Sequence, residues 1–143
     1  MALQLFVQGD ILQPAAVTQI LGIEPQTAHA LGDTWTSSSG VAHVRKVGLW
    51  KWGVSEDTAD ADLSSLALSF CARLKHAAGI LNQLPGAERA WIDVFVCREQ
   101  PAGASAEIAF DLSPAALCAL GSLNLPVEFT TDVVAADAIE SPI

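Results

Sequence analysis

Basic residues are scarce in this 143-residue chain: 7 lysines and arginines stand against 16 aspartates and glutamates, a formal net charge of −9. Phosphate neutralisation supplies most of the hold of a nucleic-acid-binding protein, so this balance argues against nucleic acid as a partner. Charge of either sign is sparse, at 16% of residues, while 51% are hydrophobic. That composition excludes a disordered or collagen-like chain and predicts one compact globular domain. Long hydrophobic runs are missing as well. The longest uncharged stretch, Leu112 to Val127, contains Pro114, Gly121 and Pro126 and falls short of the roughly 20 apolar residues of a spanning helix, so no membrane association is expected. Met1 to Asp10 lacks a basic n-region, and Gln4, Gln8 and Asp10 break its apolar run, so it does not read as a signal peptide.

Cysteine is limited to Cys71, Cys97 and Cys118, an odd number at wide spacings with no C-x-x-C. Free, buried thiols in a reducing cytoplasm are expected. His29, His43 and His76 show no metal-ligand spacing with one another or with the cysteines, and neither a metal nor a cofactor is expected. No G-x-S-x-G is present, and Ser37 to Ser39 precede Gly40 as linker-like serines. Cys71 and His76 are five residues apart on one predicted helix, about 140° around it, which does not suit a nucleophile and its base. No glycine pattern of a phosphate-binding loop occurs. The acids Asp60 and Asp62 read as helix-start residues rather than cation ligands.

The elements that are present follow from periodicity. Leu3, Leu5 and Val7 alternate with Gln4, Phe6 and Gln8 as a first strand. Pro14 suits the first turn of a short helix with Gln13 as cap, Leu12 stapling to Val17, and Gly22 as the stop. Residues 23–40 read as a long loop with a flexible tip, and residues 41–54 as a Val- and Trp-rich strand with a bulge near Gly48. A long helix is predicted over Ala59 to Leu84, its apolar positions stepping by threes and fours, with acids at its start and Arg73, Lys75 and His76 in its second half. Residues 90–97 fit an interior strand. Ala106, Ile108, Phe110 and Leu112 predict a half-exposed strand forming a hairpin with it. Ser113 and Pro114 open a third helix that Gly121 stops, and Leu125 to Thr130 form the last strand.

Asp10-Ile11-Leu12-Gln13-Pro14-Ala15-Ala16-Val17, continuing to Leu21-Gly22, matches Asp111-Leu112-Ser113-Pro114-Ala115-Ala116-Leu117, continuing to Leu120-Gly121. The order β-α-β-α-β-β-α-β with pseudo-duplicated β-α-β ends predicts an α+β two-layer sandwich. Its sheet has about five mainly antiparallel strands, with one long and two short helices on one face. A single domain over residues 1–134 and a loose tail over 135–143 are expected.

One cluster has the character of a site: Trp35, His43, Arg45, Lys46, Trp50, Lys51 and Trp52 combine three of the four tryptophans with three of the seven bases. Trp50 and Trp52 point to one side of a strand and suit either an aromatic platform flanked by cations or a core packed under the long helix. The candidate ligand-binding residues are Asp33, Trp35, His43, Arg45, Trp50 and Trp52, with no catalytic residue assigned. Asp93, alone in an apolar strand, suits pairing with one of these bases or a place at a strand edge.

The series Gly9-Asp10, Pro14, Leu21-Gly22-Ile23, Pro25, Gly32-Asp33, Trp50 and Trp52, then Phe110-Asp111-Leu112-Ser113-Pro114 and Leu120-Gly121, resembles domain-of-unknown-function family 4279 over nearly the whole chain. Phe129-Thr130-Thr131-Asp132 departs from the aromatic-ended strand common in that family. The resemblance implies a bacterial cytosolic protein and supplies no reaction.

A non-enzymatic protein-binding module follows as the leading expectation, with an immunity-type protein neutralising a basic partner as its specific form. The alternatives are a small-ligand binder or enzyme using the Trp-rich strand with Asp33, and a homodimer formed through an exposed sheet edge rather than a monomer. All seven bases lie between Arg45 and Arg98. The acidic arms on either side coincide with the duplicated units and would form one acidic face if those units lay side by side.

Overall fold

The computed structural model describes residues 1–101, 103–105 and 107–135. Its framework is a five-stranded sheet in the order β2-β5-β1-β6-β7, made of β2 (Thr27–His29), β5 (Gly48–Ser55), β1 (Ala2–Gly9), β6 (Arg89–Gln100) and β7 (Val127–Ala135). A separate two-stranded ribbon pairs β3 (Thr34–Thr36) with β4 (Ala42–Val44). The sheet is antiparallel except for β6 and β7, which run parallel. Three helices pack on one face: α1 (Pro14–Leu21), α2 (Leu63–Leu74) and α3 (Pro114–Ser122).

The α+β sandwich expected from periodicity is the architecture found, but one strand of the five is different. Glu107 to Leu112 forms no strand, and Ala106 lies outside the described residues. The expected hairpin partner had no edge to join, because β1 occupies one side of β6 and β7 the other. The fifth strand is instead β2, drawn from the segment read as loop and paired to β5 through Thr27↔Lys51 and His29↔Leu49. The tail read over residues 135–143 lies outside the described residues apart from Ala135, which ends β7.

The long helix is shorter than its periodicity predicts. Asp62 caps it, accepting from the Ser65 amide at 2.9 Å and the Ser65 hydroxyl at 2.6 Å, so Glu56, Asp57 and Asp60 precede the helix instead of filling its first turn. Those bonds hold the Asp62 carboxyl below the usual carboxylate range. At the other end the chain tightens into a 3₁₀ turn, Lys75–Ala77, where the His76 Nε2–H donates to the Leu21 carbonyl at 2.9 Å. Leu81 and Leu84 remain in the core without belonging to the helix, which is why the apolar pattern outruns it.

The duplicated units diverge in how they are built into the sheet. β6-α3-β7 joins two adjacent parallel strands, whereas β5 separates β1 from β2 and so splits β1-α1-β2. Pro14 and Pro114 each start their helix. Ser113 caps through its hydroxyl, 3.1 Å from the Ala116 amide, while Gln13 makes no side-chain cap bond. Gly22 ends α1 in the left-handed region at φ 64°; Gly121 stays within α3, and Asn124 takes the left-handed conformation there at φ 55°.

Gly48 is no bulge. It begins β5 opposite Gly9, and a Cβ there would come within 2.5 Å of the Gly9 carbonyl oxygen, so the two strands approach as only glycine allows. From that point the alternation is regular, with Trp50 and Trp52 facing the helices and Lys51 facing away. Cys71 is buried, and burial pushes its thiol up to about 11; Cys97 is half-buried and Cys118 exposed, so the expectation of three buried thiols holds only for the first. No helix among the described residues is long and apolar enough to cross a membrane.

Candidate functional site

The six candidate residues separate into two groups. Trp50 and Trp52 lie in the core, packed under the helices. The Trp50 indole N–H donates to the Thr18 hydroxyl of α1 at 3.0 Å, and Trp52 stacks on Phe70 of α2 with ring centroids 5.4 Å apart. The indole N–H needs a partner when its ring is buried, and Thr18 supplies it.

Asp33, Trp35, His43 and Arg45 come together on the arm that leaves the sheet between β2 and β5. Every residue from Leu31 to Val44 is exposed except Ser37, which is half-buried. Trp35 and His43 are directly opposite across the ribbon, with ring centroids 4.6 Å apart and planes within 21°. The Arg45 guanidinium lies 4.8 Å from the Trp35 centroid, a cation–π contact. Leu31, Val41 and Val44 add exposed apolar surface to the same arm.

Backbone bonds fix the root of the arm. The Gly32 amide donates to the Arg45 carbonyl at 2.9 Å, and the Arg45 amide to the Asp33 carbonyl at 2.7 Å. The Asp33 carboxylate accepts from the Ala30 amide at 2.8 Å, so it serves the turn before β3. At the tip, the Val41 amide donates to the Ser37 hydroxyl at 3.2 Å, and the Ser37 amide to the Val41 carbonyl at 2.9 Å. The serines that read as a flexible linker therefore close a hydrogen-bonded turn, with Gly40 at φ 80°.

His29 stands at that root on the last residue of β2, and its Nδ1 is buried without a hydrogen-bond partner in the described structure. Burial, then the Arg45 charge, push its imidazole below the ordinary histidine value.

The helix-free face of the sheet carries a second arrangement that the sequence reading missed. Phe6 is paired with Lys51 on one side and Trp91 on the other, and the Phe6 and Trp91 rings stack at 4.9 Å with planes 7° apart. The Lys51 ammonium lies 5.7 Å from the Phe6 centroid and the Arg89 guanidinium 4.2 Å from that of Trp91. This cation–aromatic–aromatic–cation ladder leaves Trp91 only 9% exposed on a face no helix covers. Arg89 also pairs with Glu128 of β7. The Asp93 carboxylate accepts from the Thr130 hydroxyl at 2.7 Å; among the described residues it pairs with no base, and it sits inside the sheet rather than at an edge. Phe6 lies on the outward phase of β1, the one local sign of this ladder; its partner is 85 positions away.

Acids gather around a cavity of about 520 Å³ at one end of the sheet, lined among others by Met1, Glu56, Asp57, Cys97, Arg98 and Glu99. The two units adjoin through the pairing of β1 with β6, but their later strands β2 and β7 occupy opposite edges of the sheet, so the acidic segments do not merge into one face. Much of the local acidity comes instead from the connection between β5 and α2.

No curated protein and no solved structure matches the chain. The family model of the domain of unknown function DUF4279 matches residues 1–134, which spans the described fold almost to the end of β7, and the chain belongs to that family.

Proposed function

We propose that this protein is a non-enzymatic protein-binding module whose acidic surface attracts a positively charged partner and whose β3–β4 arm, with the cations Arg45 and Lys46 at its root, supplies the aromatic contact rather than the charge attraction. The supporting observation is the stacked Trp35, His43 and Arg45 on a ribbon exposed along nearly its whole length. Tryptophan and arginine are the residues that most often anchor protein interfaces, and here both are held in place before any contact forms. The net charge of −9 favours encounter with a cationic protein, an attraction that weakens as salt rises. An immunity-type role, in which a basic toxin is bound and neutralised, is the specific form of this reading.

The test is affinity purification from the source cells with the unaltered protein and with Trp35→Ala as baits. A basic protein retained by the first and lost from the second is expected. Equal retention by both baits, or no retained protein together with a small molecule that quenches tryptophan fluorescence, would overturn the proposal.

A further inference from the structure

The strand β7 ends the sheet opposite the arm, and its features differ from those of a protected edge. Only β6 pairs with it; among the described residues no strand occupies its other side. The opposite edge strand, β2, is three residues long, while β7 runs for nine in unbroken register against Ile92 to Gln100. Natural edges are usually short, bulged, or carry lysine or proline. The run Val-Glu-Phe-Thr-Thr-Asp-Val-Val-Ala is long and unbulged and lacks lysine and proline; its edge charges are the two acids Glu128 and Asp132, a protection that a basic segment would overcome, and six of its nine residues are β-branched or phenylalanine.

The phase of its free hydrogen-bonding groups follows from one bond. The Ile92 amide donates to the Pro126 carbonyl at 2.9 Å, and in a parallel ladder the bonded residues alternate. Glu128, Thr130, Asp132 and Val134 therefore turn their backbone groups towards β6. Phe129, Thr131 and Val133 turn theirs towards the open edge.

The side chains then set what can be added there. Glu128, Thr130 and Asp132 share the helix-free face with Asp93, to which Thr130 is bonded. Phe129, 51% exposed, lies on the other face and stacks on Phe110 at 5.9 Å. An incoming strand meets acids on one face and apolar surface on the other. A second copy of this chain is disfavoured, because it brings −9 to −9 and places both sets of acids on one face of the joined sheet.

We propose that β7 is a strand-addition site that takes an extended partner segment in which apolar residues alternate with lysine or arginine. Main-chain bonds to Phe129, Thr131 and Val133 would hold the segment, and Asp132, with Glu128 beside its Arg89 partner, would select its charge. The inference rests on the reading of a basic partner given above but uses a different surface from the arm.

Its test uses a fluorescein-labelled ten-residue peptide of alternating lysine and valine, titrated into the full chain and followed by anisotropy. Thr131→Pro removes an outward N–H without removing a bond to β6, so the sheet is expected to survive it. The alternating peptide is expected to bind at least tenfold more tightly than a peptide of five lysines followed by five valines. The same loss is expected for Thr131→Pro and for an alternating peptide N-methylated on alternate amides, which tests the ladder without altering the protein. Trp35→Ala is expected to bind the peptide normally while losing the cellular partner. Equal binding of the block and alternating peptides, or undiminished binding of both N-methylated phases, would overturn the proposal. So would sedimentation showing the edge occupied by a second copy. Loss of peptide binding in Trp35→Ala would also overturn it, whereas retention of the cellular partner by that variant would overturn only the arm reading.

Discussion

Trp35 and His43 stack face to face across the β3–β4 pair, 4.6 Å between centroids, on a ribbon that is separate from the main sheet. A lone two-stranded ribbon is marginal in water, and a cross-strand aromatic pair adds roughly 0.2–1 kcal/mol. The stack, the Arg45 contact and the hydrogen-bonded tip together hold the arm in one shape. Order present before contact lowers the entropic cost of binding.

Trp35→Ala should separate binding from stability. Its side chain lies outside the core and supports only the ribbon, so urea unfolding should shift by no more than about 1 kcal/mol. Affinity for the partner should fall about 30-fold, the equivalent of about 2 kcal/mol at an interface anchor. The two are measured by equilibrium unfolding and titration calorimetry.

Trp50→Ala should do the reverse. The ring is fully buried, and its loss also strips the Thr18 hydroxyl of its partner. A cost of about 3–5 kcal/mol is expected, read as a lower urea midpoint.

The two related helices should respond differently at their caps. Ser113→Ala removes the bond to the Ala116 amide and should cost about 1 kcal/mol. Gln13→Ala removes no cap bond and should leave the thermal midpoint nearly unchanged.

His29 should make stability sensitive to mild acid. Its folded value lies below the ordinary 6.5, so the unfolded chain takes up the proton first as pH falls. The stabilising contribution of neutral His29 is complete above 6.5 and is lost as pH drops from there towards the folded value. The fall in thermal midpoint between pH 7.5 and 5.5 should therefore be smaller in His29→Gln than in the unaltered protein, as scanning calorimetry would show.

Much of the fold was legible because local chemistry specifies it. Pro14, Gly22, Ser113 and Pro114 mark helix ends whatever packs around them, and the alternation in β1 gives its buried face directly. The segment Glu107 to Leu112 alternates as well as a strand does, but pairing depends on a vacant edge, and β6 had none. The tryptophans show the same limit. Spacing places Trp50 and Trp52 on one side of β5 without saying which side meets α2. The Trp35 and His43 stack needed the turn at Ser37 to Gly40 to bring the residues opposite each other. The Phe6 and Trp91 ladder needed the pairing of β1 with β6, a relationship no local pattern encodes.

Hydrogen–deuterium exchange of the protein with and without its captured basic partner tests the role of the arm most directly. Slowed exchange is expected at the ribbon amides from Thr34 to Val44, with the core strand β1 unchanged. Unchanged exchange throughout the arm, with protection confined to the helices, would contradict its assignment as the contact element.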